Sequence, residues 1–277
     1  MVELDQNTLR RLQMTELELL TEVDRICRKC HIHYNIIAGT MLGAVRHGGF
    51  IPWDDDADVA MLRSEYERFC EACKTELNQS KFYFQDQDHT QGYRWGYGKL
   101  RRRNTLFLRE HQEHMPYEQG VFIDVFPLDY VPKNYLLRCL HNFICFLYRK
   151  FFWSEAGRIS DKRAYMRVLY SFMSKVPEKV LKKSFKWFIW KSKRKKSGWV
   201  RILTFPTPNR FYGYRARWYE KSIDIRFEGR MFLGIRDYDK YLTFKFGNYM
   251  ELPPKSERKV HPVSCIVLAG ATQKDGR

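Results

Sequence analysis

The sequence predicts an α+β protein in which a mixed core is interrupted by a basic helical insertion. Three observations carry the prediction. Residues 1–132 alternate amphipathic helical patterns with short apolar runs bounded by turn residues. From Lys133 to Arg201 the pattern reads as helix, with Leu, Phe, Tyr and Trp interleaved with Lys and Arg. Residues 202–277 return to mixed composition, so the chain divides into 1–132, 133–201 and 202–277.

The elements follow in order. Leu12, Leu19, Leu20, Val23, Ile26, Cys27 and Cys30 recur at helical spacing and predict an amphipathic helix over 8–30. Asn35-Ile36-Ile37-Ala38 predicts a short strand, and Gly39-Thr40 opens a short helix through Arg46. After the His47-Gly48-Gly49 loop and Ile51-Pro52-Trp53, Ala57 to Met61 alternates as a strand does. Ser64 can cap a helix running to Leu77. Further strands are predicted over 81–86, 94–101 and 120–126, and Tyr238 to Phe246 is a final helix candidate. No internal repeat interrupts this order.

Composition narrows the class. At 277 residues and 44% hydrophobic content the chain can bury a substantial core, and 16% aromatic residues argue against disorder. Gly and Pro are ordinary, which excludes collagen-like and linker-type chains. The net charge of +17 points to a polyanionic partner. That charge is localised: 133–201 holds 19 Lys and Arg against three Asp and Glu, which leaves the remaining residues near neutrality. Met1-Val2-Glu3-Leu4-Asp5 lacks the basic and apolar regions of a signal peptide, and no run approaches the roughly 20 apolar residues of a membrane span. The expectation is a cytoplasmic protein with reduced cysteines. Cys27/Cys30 and Cys70/Cys73 have zinc-like spacing, but both pairs fall on apolar helix faces, where Cys acts as a small hydrophobe.

The chemistry is concentrated at Gly39-Thr40-Met41-Leu42-Gly43-Ala44-Val45-Arg46 and Ile51-Pro52-Trp53-Asp54-Asp55-Asp56-Ala57-Asp58-Val59. Four carboxylates in five positions repel one another and are tolerated chiefly when a cation neutralises them. Asp56 and Asp58, two apart on a strand, leave the same face. Such hard oxygen ligands suit Mg²⁺ or Mn²⁺. Asp124, inside the apolar run Val121 to Phe126, is a third ligand candidate, since an unpaired carboxylate there is costly. Gly39-Thr40, at a strand-to-helix junction, offers amides to a phosphate. A calcium loop fails, because Val59-Ala60-Met61-Leu62-Arg63 supplies neither the glycine nor the glutamate it needs. The set describes metal-assisted phosphoryl transfer from a nucleotide donor.

These motifs resemble the signature of the LicD family of phosphocholine and phospho-alditol transferases, which includes the fukutin-related proteins. The likeness extends to Lys99-Leu100-Arg101 with Asn104-Thr105, to Gly120 through Asp129, to Phe227-Glu228-Gly229 and to Phe246 through Pro254. Cys30 and Asn248 depart from common family choices, and the basic block carries no matching motif. The resemblance implies a nucleotidyltransferase-like mixed sheet flanked by helices, with residues 1–132 and 202–277 forming one catalytic unit. It implies transfer of phosphocholine from CDP-choline, with CMP released, to a hydroxyl of a lipid-linked cell-surface glycan such as lipopolysaccharide or a teichoic acid precursor. CDP-ribitol, CDP-glycerol or CDP-ethanolamine are alternative donors, and a non-catalytic nucleotide- or membrane-binding member is the other class. Carried over by position, Asp56, Asp58 and Asp124 become metal carboxylates and catalytic groups, and Asp54 an outer or second-metal ligand.

Candidate substrate contacts are Gly39, Thr40, Arg46, Trp53, Lys99 and Arg101, with Arg103, Arg258, Lys259 and His261 as further cations. Trp53 can stack on a base, cage an ammonium by cation–π attraction, or serve as a core wedge. Basic and bulky aromatic residues over Val176 to Trp199 match an in-plane interfacial helix. The expected position is therefore peripheral, on an anionic membrane at its inner face, with no nucleic acid bound.

Overall fold

The computed structural model describes residues 4–193, 197–207, 213–258 and 260–269. Helix α1 (Gln6–Lys29) starts at Asp5, whose carboxylate accepts the Thr8 N–H at 2.8 Å. Strand β1 (Asn35–Ile36) leads into α2 (Ala38–His47), and β2 (Asp58–Leu62) passes directly into α3 (Arg63–Glu76). Strands β3 (Phe82–Gln85), β4 (Gly98–Arg102), β5 (Leu106–Arg109) and β6 (Phe122–Tyr130) follow. Cys27 and Cys73, one from each pair, are buried in the main core, where burial pushes both thiols up.

The basic block folds as α4 (Tyr135–Ser160), α5 (Ala164–Ser174) and α6 (Glu178–Lys193). Its end differs from expectation: Trp199–Arg201 is strand β7, paired with Asp129 and Tyr130 of β6. Three residues are too few for a period to show. After β8 (Tyr214–Arg215) come β9 (Ser222–Phe227) and β10 (Arg230–Ile235), then α7 (Tyr238–Phe246) and β11 (Val263–Val267). Glu228 and Gly229, at φ of 50° and 75°, make the tight turn of the β9–β10 hairpin.

The large sheet runs β3-β4-β6-β2-β1-β10-β9, with β7 beside β6 and β8 beside β7. Strands β2 and β6 are parallel, whereas β3, β4 and β6 pair antiparallel in turn. Strand β6 continues through Pro127, beyond the predicted end at 126. Pro127 faces a ladder partner only on the β2 side, because β4 pairs up to Val125 and β7 only from Asp129. The missing N–H therefore breaks no ladder there. Helices α1 and α3 pack against the sheet through contacts to β2, β4 and β6.

A second apolar cluster joins Cys145 and Phe152 of α4 to Leu181, Phe185 and Phe188 of α6. One face of the segment 176–199, read as an interfacial helix, is therefore part of the core. Phe185 and Phe188 are buried there, whereas Trp187 and Trp190 of the same helix are 55% and 49% exposed. Arg194, Lys195 and Lys196 of that segment lie outside the described residues.

Candidate active site

Strand register assembles the site. Asp58 of β2 lies opposite Asp124 of β6, Asp124 opposite Lys99 of β4, and Lys99 opposite Gln85 of β3. Register partners share a face. One polar row, Asp58–Asp124–Lys99–Gln85, therefore crosses four adjacent strands. Its flanks on β4 and β6, Leu100, Ile123 and Val125, are fully buried apolar residues.

The acidic loop is held from two helices. On α1, Gln13 donates from Nε2 to the carbonyls of Ile51 and Asp54, at 3.3 and 3.0 Å. Glu16, on the same stripe, is buried, and its Oε2 has no partner among the described residues. On α2, Thr40 Oγ1 accepts the Asp58 N–H at 2.8 Å and so fixes the start of β2. A Cβ at Gly39 would stand 2.5 Å from Asp54 Oδ2, so only glycine lets that carboxylate reach the first turn of the helix. Asp54 Oδ2 thus lies beside Gly39, in the turn read from the sequence as a phosphate seat.

Burial and mutual repulsion dominate the electrostatics. Burial, followed by Asp56 and Asp55, pushes Asp54 up to about 8. Asp58 is driven well up by burial, then by Asp56 and Asp124, against the pull of Lys245. Asp56 is raised by burial, with His261 and Arg109 opposing. Glu16 is raised by burial and then by all four aspartates of the loop. Opposite them, Lys99 Nζ contacts Asp124 Oδ1 and sits 3.4 Å above the Phe122 ring. Burial draws this ammonium down to about 7, despite Asp124.

Lys99 and Arg101 also line a cavity of about 350 Å³, a volume in the range of small-molecule sites. Arg109 joins them, while Trp95, Tyr97, Phe122 and Trp153 supply aromatic wall. Arg101 donates to Gln85 Oε1 at 2.8 Å and to the Gly120 carbonyl at 2.6 Å. Arg109 lies 5.0 Å over Phe122, and its Nε is buried without a partner. The cavity thus pairs cations with aromatic faces beside the acidic row.

Other candidates sit elsewhere. Arg46 grips the carbonyls of Tyr249 and Glu251 at 2.8 and 3.1 Å, anchoring the closing motif. Trp53 packs on the main core beneath Arg258, 4.2 Å from its ring centre, so its exposed face already holds a cation. Arg103 lies beyond the end of β4 and pairs with Glu118 at 3.0 Å, off the face shared by Lys99 and Arg101. His261 reaches the site: its N–H and Nδ1 both lie 2.9 Å from the Asp55 carboxylate. Lys259 lies outside the described residues.

Sequence reasoning missed Gln13, Glu16, Gln85, Arg109 and Lys245. Gln13 and Glu16 gave a signal, as polar residues on the apolar stripe of α1. Lys245, between Phe244 and Phe246 on α7, gave none.

A divalent cation suits this donor set. Asp54, Asp56, Asp58 and Asp124 crowd in burial, where a cation relieves both repulsion and desolvation. Among the described residues no group of three or more His, Cys, Asp or Glu side chains is placed to hold a metal ion, and Asp124 contacts Lys99 instead.

Residues 31–141, which contain the acidic row through Asp124, match the family described as LicD/FKTN/FKRP, nucleotidyltransferase domain. Over 264 residues the chain is 29% identical to Lipopolysaccharide cholinephosphotransferase LicD of Haemophilus influenzae, covering 92% of this chain and 96% of that protein. Shorter likenesses join it to uncharacterized proteins of two Rickettsia species. One, in Rickettsia typhi, is 40% identical over 52 residues, 19% of this chain and 17% of that protein. The other, in Rickettsia prowazekii, is 42% identical over 48 residues, 17% and 18% of the two chains.

Proposed function

We propose that this chain, whose residues 31–141 match the LicD family model, is a member of that family and a metal-dependent transferase that moves phosphocholine from CDP-choline to a hydroxyl of a lipid-linked cell-surface glycan. The observation that carries the reading is the acidic row beside a cavity walled by cations and aromatic rings. The full-length relative named as a cholinephosphotransferase supports the choice of group transferred and of lipopolysaccharide as acceptor class. Placement at the inner face of a membrane belongs to the same reading.

Each residue has a part. Asp56 and Asp58 would hold Mg²⁺ or Mn²⁺, with Asp54 and Asp124 beside them. A cation held there would supply charge neutralisation to the phosphoryl oxygens. Arg101 and Arg109 take the diphosphate into the cavity, and Trp95 and Trp153 offer faces to the choline ammonium. The acceptor oxygen attacks the phosphorus bearing choline, in line with its bond to CMP. That bond breaks and its electron pair leaves with CMP, while the acceptor's proton passes to Asp124. Lys99, against Asp124, stabilises the developing negative charge.

The test is CMP release and choline incorporation, measured with Mg²⁺, CDP-choline and a lipopolysaccharide-type acceptor. CDP-ribitol, CDP-glycerol and CDP-ethanolamine run in parallel. Asp58→Asn is expected to abolish turnover while the circular dichroism spectrum stays unchanged. Near-normal turnover by that variant would remove the metal-site assignment. Equal use of the other donors would remove choline as the specific group.

A further inference from the structure

We propose that α4 and α5 form a platform that lies on an anionic lipid surface, with the catalytic cavity behind α4. Exposure comes first. Among the described residues 24 large apolar side chains are exposed, and 16 of them fall between Tyr135 and Trp190. They are ordered. On α4, Leu136, Leu140, Phe143 and Leu147 recur along one stripe, while His141, Cys145 and Phe152 on the other side are buried. On α5, Tyr165, Val168, Leu169 and Phe172 make a second stripe.

The two helices are packed so that both stripes stay uncovered. Tyr170 is the one buried residue of α5, and its hydroxyl accepts from Lys150 Nζ at 2.9 Å. Its ring lies so near Gly157 that a Cβ there would come within 2.7 Å. Helix α5 therefore covers the second half of α4 and turns its own apolar stripe away, while Leu136, Leu140 and Phe143 on the outward side of the first half stay exposed. An apolar face this extended is not left to water without a partner.

Charge selects the partner. The segment carries 19 basic residues against three acidic ones, and Lys162, Arg163, Arg167 and Lys175 flank the α5 stripe. Apolar stripes edged by Lys and Arg suit a headgroup boundary of anionic lipid. Among the described residues no helix is long and apolar enough to cross a membrane, so the helices rest on the surface. Helix α4 also gives Arg149, Lys150 and Trp153 to the cavity wall. A hydroxyl carried on a lipid then reaches the site from the docked side.

The inference rests on the membrane placement and lipid-linked acceptor of the proposed function, and not on its transfer chemistry. Its test uses neither donor nor acceptor, so the two fail separately. The full chain is floated with phosphatidylglycerol–phosphatidylcholine vesicles and with phosphatidylcholine alone, at low and high salt. Binding is expected to require the anionic lipid and to weaken with salt. The pair Leu169→Glu with Phe172→Glu, at residues 48% and 65% exposed, should lower vesicle affinity at least about tenfold without changing the melting temperature. The pair Leu136→Glu with Leu140→Glu should do the same from α4. Failure of the wild-type chain to float, or floating of both variants as well as wild type, would overturn the proposal. So would displacement from vesicles by single-stranded oligonucleotide. A dimer that either variant converts to monomer would assign the face to a second copy of the chain instead.

Discussion

Arg63 and Asp129 form a closed pair at the far end of the β2–β6 ladder, and breaking it from one side has a calculable cost. Arg63 Nε and Nη2 donate to the two carboxylate oxygens at 2.9 and 2.5 Å, with side chains 10% and 0% exposed. Arg63→Met leaves Asp129 buried without its counter-charge, which costs about 3–5 kcal/mol. At roughly 2–4 °C per kcal/mol for a chain of this size, the melting temperature should fall by about 6–20 °C. Arg63→Met combined with Asp129→Leu should recover most of that loss, since a buried pair replaced by apolar volume is close to neutral. Urea unfolding followed by tryptophan fluorescence reads the difference. Five register pairs from Asp58–Asp124 to Leu62–Leu128 remain in both variants, so CMP release well below the transition should change little. The reasoning fails if Arg63→Met lies within about 1 kcal/mol of wild type, or if the double variant is no more stable than the single.

Three further outcomes follow from the site. Asp54 has a folded value raised from 3.8 to about 8, so the metal-free folded state binds the extra proton and loses stability as pH rises through that window. Mg²⁺, which needs the carboxylate, should raise the melting temperature more at pH 8 than at pH 6, and a pH-independent Mg²⁺ shift would refute this. Lys99 has the opposite sign. Its folded value is lowered from 10.5 to about 7, so the unfolded chain binds more protons between those values and stability gains with pH there. Lys99→Met should flatten that rise in a chemical-denaturation series. Gly39→Ala places a Cβ 2.5 Å from Asp54 Oδ2 and should cost about 1–3 kcal/mol of stability, with lost Mg²⁺ affinity by titration calorimetry.

The helices around the site were legible because each shows one face to the core for several turns. Residues 8–30, 39–46 and 64–77 as read correspond to α1, α2 and α3 within two residues at each end. Asp58 and Asp124 were legible for a different reason: carboxylates in apolar strands contradict their surroundings. Asp56, expected on the same strand as Asp58, lies instead in the loop before β2. Strands β5, β9, β10 and β11 were not seen, since each is four to six residues long and half-exposed. Arg109 sits on one of these, which hid it from view. Trp53 and Arg46 could be picked by residue type, but their partners, Arg258 and the Tyr249 carbonyl, come from about 200 residues away, and local pattern carries no such pairing. The outward face of α4 and α5 was hidden because buried and exposed aromatics alternate through the whole basic block, as Phe188 and Trp187 do on α6. Only packing tells which aromatics are lids and which are floor.

His261, on the approach to β11, holds Asp55, and β11 itself lies on β5 beside Arg109. A chain being synthesised has therefore made Asp54 through Asp58, with Gln13 and Thr40 already in place, long before His261 and β11 exist. Until residue 261 joins, the acidic loop lacks a restraint and the cavity wall lacks its backing strand. Synthesis order thus acts as a safety catch. Truncations that spare every carboxylate of the row should be as silent as a substitution within it.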